Sequence, residues 1–234
     1  MGNFSSFEEL FATKPSLSGE SSPPIRGQVI PGSGADAADP CGQAMLARKG
    51  ASLRQEPALP LHEVSFHETS RLWLTPLKKG DFSALSGLWR ELYGQSAGEG
   101  RRMFKFSQKN QASCKMALWL LRLKAANALI GACEFNRIDI NAGQAYIGCA
   151  LKKSFQNQGY MYEALRAVIG YSFAHGGFAA LYADIAKDNR PSLSLFAKLG
   201  FTPAGRDDSS WRPNGALRFC LSRERATSHA GCFT

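Results

Sequence analysis

The sequence predicts an α+β fold, a sheet with helices on its faces, and three observations predict it. Apolar runs at Ala117–Leu123, Ala128–Ile138 and Tyr146–Leu151 follow one another across turn-length gaps at Ala126-Asn127 and Asn141-Ala142-Gly143, the pattern of an antiparallel meander. Behind them Met161, Leu165, Val168, Ile169 and Phe173 recur every three or four residues, the stripe of a helix lying on a sheet. A strand, a helix and a last strand then complete the chain's order, which places helices against a sheet rather than in a separate bundle.

Taken in order, Arg71–Leu77 alternates like a first strand, and Asp81 stands where a helix cap belongs, ahead of the stripe Phe82, Leu85, Leu88, Trp89 and Leu92. Polar and basic residues at 99–109 predict a second, short helix. The helix after the meander should close near His175-Gly176-Gly177, because Gly suits the position past a helix end. Phe178–Ala186 reads as a buried strand. Asp188-Asn189-Arg190-Pro191-Ser192 opens a helix with Pro in its first turn, Gly200 ends it, and Leu217–Leu221 is the last strand.

Between the third meander strand and its helix lies Gln156-Asn157-Gln158-Gly159-Tyr160-Met161. The first amide N–H groups of a helix have no intrahelical acceptor and sit at its positive dipole end, so such a turn is an anion site. The order of residues here resembles the acetyl-CoA pyrophosphate loop of the GNAT N-acetyltransferases, Gln/Arg-x-x-Gly-x-Gly/Ala. Within that superfamily the chain is most similar to the branch that acetylates ribosomal-protein N-termini (RimJ/RimL-like). That branch's usual wording is "IGY-x-L", a spacer and "GYxTEAL". Here stand Ile147-Gly148-Cys149-Ala150-Leu151 and Gly159-Tyr160-Met161-Tyr162-Glu163-Ala164-Leu165. Asn157 occupies a position where Gly is common, and Met161 replaces the final Gly or Ala. The opening "ETSRLWLTPL…DFSAL" and the later Asn189-Arg190-Pro191-Ser192 with Lys198-Leu199-Gly200-Phe201 are similar to the same branch.

The resemblance implies a mixed, mostly antiparallel GNAT-like sheet with helices on both faces. It implies acetyl-CoA as cosubstrate, with pantetheine beside Cys149, Ala150 and Leu151, pyrophosphate on Gln156, Asn157, Gln158, Gly159, Tyr160 and Met161, and Asn189 among the cofactor-binding residues. Many GNAT enzymes protonate the departing thiolate with a Tyr where this chain has Phe196, so the role passes to Ser192 or to no residue. The other reading of Ser192, equally open from its residue type, is that it caps its own helix. The base is open between two carboxylates embedded in strands, Glu134 and Asp184, with Glu134 preferred. Glu163 reads as a structural residue of its helix's first turn.

The expected activity is acetyl transfer to an amine by direct attack in a ternary complex, the acceptor being a protein N-terminal α-amine. An α-amine is roughly a tenth to a sixth free base at pH 7, against about 0.04% for lysine, so it needs less help from a base. The alternatives are a small-molecule amine acetyltransferase acting on an antibiotic or toxin, and a catalytically inactive GNAT-fold binding protein. The basic Arg101, Arg102, Lys105 and Lys109 disfavour a polyamine acceptor.

Residues 1–66 hold seven of the eleven prolines, with five Lys/Arg against seven Asp/Glu, or −2, so of the net +9 the remainder carries +11 (23 Lys/Arg against 12 Asp/Glu). They are expected to form a low-complexity, disordered leader, residues 67–223 the acetyltransferase domain, and 224–234 a flexible tail. Met1-Gly2-Asn3-Phe4-Ser5-Ser6 fits an N-myristoylation pattern, and a secretion leader or an upstream-extended start, with Met45 as the true start, are the other readings. The six cysteines show no CxxC spacing and read as reduced thiols of a cytoplasmic protein; a secreted effector or a weakly membrane-associated protein are the alternatives. The four scattered histidines carry no ligand spacing and no metal is expected. Nucleic acid is not expected as a partner.

Overall fold

The computed structural model describes residues 66–204 and 216–228. The expected leader, except Phe66, and its Gly2 pattern lie outside the described residues, as does the end of the expected tail. Eight strands form one sheet in the order β1-β2-β3-β4-β5-β6-β8-β7. They are β1 His67–Glu68, β2 Leu72–Pro76, β3 Ala117–Leu123, β4 Ala128–Asp139, β5 Gln144–Leu151, β6 Ala180–Ile185, β7 Thr202–Pro203 and β8 Leu217–Ser222. Among the described residues only β5 and β6 pair in parallel, so the sheet is mixed and mostly antiparallel, as the resemblance implies.

Helices α1 (Phe82–Tyr93) and α2 (Ala97–Ala112) cover one face; α3 (Tyr160–His175) and α4 (Arg190–Lys198) cover the other. The alternation of β3 serves both. Leu118 and Leu120 pack under Leu85, Leu88, Trp89 and Met103, while Trp119 and Leu121 join Leu165, Ile169 and Phe196 on the opposite side. A strand buried on both faces reads as an unbroken apolar run, which is how Ala117–Leu121 appears in the sequence, up to the half-buried Arg122.

Several elements depart from expectation, each for a local reason. Helix α2 runs sixteen residues rather than the expected short stretch at 99–109, started by a capping box in which the Glu99 carboxylate accepts from the Ser96 N–H at 2.9 Å. Asp81 occupies the N-cap of α1, yet its carboxylate accepts from the Lys78 N–H and from Arg122 instead of capping the helix. Strand β6 begins at Ala180 because Phe178 turns into the core against Phe135, and its carbonyl accepts two bonds from the Arg223 guanidinium. That arginine begins α5, Arg223–Ser228, which puts helix with a buried Ala226 where the tail was expected to start. Cys114, Cys133 and Cys149 are free thiols, but Cys220 is disulfide-bonded, against the all-reduced expectation. Among the described residues no helix is long and apolar enough to cross a membrane.

What positions the site is a divergence. β5 pairs with β6 only through Gln144↔Ala180, Ala145↔Leu181 and Tyr146↔Tyr182. Beyond that point β5 continues against β4 to Leu151↔Gly131, while β6 continues against β8 to Ile185↔Leu217. The two strands splay, and residues 147–151 keep an open backbone edge. Gly131 permits the close β4–β5 approach at the mouth, since a Cβ there would stand 2.5 Å from the Ala150 carbonyl oxygen and 2.8 Å from a Leu151 methyl. Gly131→Ala should therefore destabilise the fold by about 2–3 kcal/mol, seen as a lower urea midpoint at unchanged slope. An unchanged midpoint would show the approach to be slack.

Candidate active site

The splay opens on a cavity of about 980 Å³. One wall is the end of β5, Cys149, Ala150 and Leu151; the other is α4, with Pro191, Ser192 and Leu195; the C-terminal turn of α1 closes it with Leu92 and Tyr93. Gln156, Asn157, Gly159, Tyr160 and Met161 form its floor where the loop enters α3.

The loop is shaped by its own residue types. After a 3₁₀ turn at Lys153–Phe155, Gln156 folds back and donates its side-chain amide to the Leu151 carbonyl at 2.9 Å, satisfying the end of β5. Asn157 and Gly159 take left-handed backbone conformations, φ 60° and 79°. Asn is the common non-glycine residue in that region, which explains why it can stand where the family has Gly. Met161 buries its side chain in the core below α3, so its bulk is turned away from the outward-pointing first amides of the helix.

Arg71 braces this loop from 87 residues away. Its Nη1 donates to the Gln158 carbonyl at 2.9 Å, its Nε pairs with Glu163 at 2.6 Å, and its guanidinium lies 4.3 Å over the Tyr160 ring. The Glu163 carboxylate also accepts from the Arg71 N–H and the Ser70 hydroxyl. Burial pushes its pKa up, but hydrogen bonds from Thr69, Arg71 and Ser70 outweigh this and hold it below the ordinary value. Glu163 is thus a structural residue, as read from sequence. Arg71 carried no role in that reading, and no local pattern signals it because its partners are remote in the chain.

The structure sorts the remaining candidates. Gln158 does not line the cavity; its side chain donates to the Ser154 carbonyl. Asn189 is the N-cap of α4, its Oδ1 accepting from the Ser192 N–H at 3.2 Å, while its buried Nδ2 has no partner among the described residues. Ser192 is therefore the capped residue rather than the cap, and it lines the cavity. Phe196 is buried and packs edge-on to Phe201 at 5.0 Å.

Of the two carboxylates, Asp184 is taken up by two arginines, Arg218 Nε at 2.8 Å and Arg137 Nη2 at 3.0 Å. Glu134 is fully buried opposite Gly148; its Oε1 accepts from Asn136 at 2.8 Å, and its Oε2 has no partner among the described residues. Burial raises its pKa to about 7 against the opposing influence of Asn136 and Arg137. Burial, and then the neighbouring Glu134, push the Cys149 thiol up to about 12, which leaves it neutral and a poor nucleophile.

The cavity fits a long, phosphate-bearing ligand. The open β5 edge can pair with amides along its length, and the unpaired N–H groups at the entrance to α3 suit phosphate.

A family model described as an acetyltransferase (GNAT) domain matches residues 71–202. The uncharacterized N-acetyltransferase p20 of Bacillus licheniformis is 32% identical over 83 residues, which cover 36% of this chain and 47% of that protein. The chain thus matches about half the length of this relative. Among solved structures, the RimL ribosomal L7/L12 α-N-protein acetyltransferase in complex with coenzyme A superposes with a TM-score of 0.59 at 20% identity, covering 68% of this chain and 98% of that one. A chimera of spermidine N-acetyltransferase SpeG from Vibrio cholerae and hSSAT gives 0.59 at 19%, covering 68% and 99%. These two likenesses show the fold.

Glu134 gives a prediction about stability. The unfolded carboxyl ionises near 4.5 and the folded one near 7, so the folded state holds an extra proton between these values. Stability from this group is full below about pH 4.5 and is lost as pH rises through 7. Glu134→Gln should raise unfolding free energy by about 3 kcal/mol at pH 8 and by little at pH 4, measured by urea titration at both values. Equal effects at the two pH values would count against the buried-acid account.

Proposed function

The chain belongs to the GNAT acetyltransferase family, and on that premise we propose that it transfers an acetyl group from acetyl-CoA to an amine, the acceptor being a protein N-terminal α-amine. The observation that carries this reading is the divergence of β5 from β6 onto a cavity floored by the Gln156–Met161 loop. Cys149, Ala150 and Leu151 on the open edge would hold the pantetheine arm, and the loop amides would hold the pyrophosphate. When bound, acetyl-CoA supplies the thioester: the acceptor nitrogen forms the new C–N bond as the C–S bond breaks, and CoA leaves as the thiol. A neutral Cys149 favours this direct transfer over a covalent acetyl-enzyme.

Glu134 is the base in this reading. Glu134 does not itself line the cavity but stands opposite Gly148, next to the Cys149–Leu151 wall, so Oε2 would take the amine's proton across an intervening water. Its raised pKa suits an α-amine. Transfer from an α-ammonium of pKa 7.7–8.0 to a carboxylate near 7 is uphill by roughly one unit, about 1.4 kcal/mol, whereas from lysine it would be more than three units. Ser192, on the cavity wall, is the group that protonates the departing thiolate. Exposed Arg101, Arg102, Lys105 and Lys109 on α2 favour an acidic or neutral acceptor over a polyamine.

An acceptor screen tests the function. Thiol release should proceed with peptides bearing a free N-terminus and stop when that terminus is blocked, with lysine-only peptides and spermidine at least tenfold slower. A preference for lysine or spermidine would overturn the acceptor assignment. Acetyl-CoA at a hundredfold excess over Kd should stabilise the protein by about 2.7 kcal/mol, and Gln156→Glu, which loses the bond to Leu151 and adds charge beside phosphate, should weaken binding tenfold or more. In kcat/KM, the limb with a midpoint near pH 7, below which activity falls as Glu134 protonates, should vanish in Glu134→Gln together with roughly 10²–10⁴ of the rate.

A further inference from the structure

On the face of the sheet that carries α1 and α2, side chains from β4, β6 and β8 form one hydrogen-bonded chain. Glu134 Oε1 accepts from Asn136 Nδ2 at 2.8 Å, and Asn136 Oδ1 accepts from Arg137 Nε at 3.4 Å. Arg137 Nη2 donates to Asp184 Oδ2 at 3.0 Å, and Arg218 Nε donates to Asp184 Oδ1 at 2.8 Å. Glu134, Asn136, Asp184 and Arg218 are all buried; the side chain of Arg137 is one-third exposed.

The order of donors and acceptors is forced. A guanidinium cannot accept, so Asn136 must turn its oxygen to Arg137 and its NH₂ to Glu134. Arg137 is itself held hard. Its backbone lies at φ 45°, rare for an arginine, in the irregular register of β4 between Asn136 and Asp139. Its guanidinium lies 3.6 Å over the Tyr146 ring, which stacks on Tyr182 at 5.4 Å. Backbone strain of this kind persists only where surroundings over-determine it, and it gathers at functional sites.

We propose that Asn136, oriented by the Arg137–Asp184–Arg218 ion cluster, is a positioning residue for acetyl transfer: it ties down Oε1 of Glu134 and leaves Oε2 as the oxygen that receives the acceptor's proton. The proposal rests on Glu134 being the base. The groups around Glu134 leave Arg137 as the charge that acts on it among the described residues. Cys133 on its own strand and Cys149 on β5 are thiols whose pKa burial raises, Gly148 has no side chain, β3 presents Leu118, and α1 presents Leu88 and Trp89. A bond and a positive charge that favour the ionised carboxylate lower the pH at which the base becomes available.

The test is the pH profile of kcat/KM for a peptide acceptor in the full chain. Asn136→Leu removes the donor at nearly the same size. It should move the acidic limb upward by about one pH unit and cut the rate about fivefold at pH 7, with most of the loss recovered at pH 9 and Kd for acetyl-CoA unchanged. Arg137→Gly suits φ 45° and so guards against a folding failure; it removes the charge and should move the limb in the same direction. A limb that stays in place in both variants while Glu134→Gln abolishes it would overturn the positioning role alone. Full activity in Glu134→Gln would remove the base and this proposal with it.

Discussion

The parting of β5 from β6 after the Tyr146–Tyr182 pair is the constraint on which the molecule depends. A parallel pair cannot stop in mid-sheet without leaving backbone groups that need partners. Here the free edge of residues 147–151 is kept from collapse because both strands remain fully paired on their outer sides. Helix α4, capped by Asn189, supplies the opposite wall. The opening is therefore built from rigid elements and is present before any ligand arrives.

The two faces of the sheet divide the labour. The α3 face is mostly apolar and carries most of the core, including Met161 of the loop. The other face combines an apolar cluster under α1 and α2 with a polar strip running from Glu134 to Arg218. Burying that strip works against stability unless its members satisfy one another. Asp184 is satisfied by two arginines, whereas Glu134 has a partner for Oε1 and none for Oε2 among the described residues. The uncompensated burial of Glu134 costs stability that burial of its well-satisfied neighbours does not.

How much of this was legible follows from the range of each signal. Meander, α3 and the loop were readable because apolar period, turn residues and order are local. Glu134 was readable as a carboxylate inside an apolar strand, and Asn136 two residues on, which shares its face, could have been read with it. The capping box at Ser96 and Glu99 was also in plain sight. Two-residue strands such as β1 and β7 leave no period to detect. Asn157 was read as a departure, and only its backbone angle shows why it is tolerated. The late start of β6 depends on Arg223, 45 residues from Phe178, and no window of local sequence contains both.

Arg71 carries a consequence for how the protein is assembled. The residue precedes β2, among the first described parts of the chain, and its contacts at Gln158, Tyr160 and Glu163 arise only after the whole meander has been laid down. The loop that faces the cavity is thus completed by a segment made early and docked late. During synthesis from the N-terminus, Arg71 waits for its acceptors, and the cavity floor takes its final shape only when the two ends of this 92-residue span have met. Loop closure over such a span is among the slower steps of a fold rich in non-local contacts. Competence to hold a ligand then reports on long-range closure of the domain, and a fragment that starts beyond residue 71 could form every strand of the meander and still lack a finished floor.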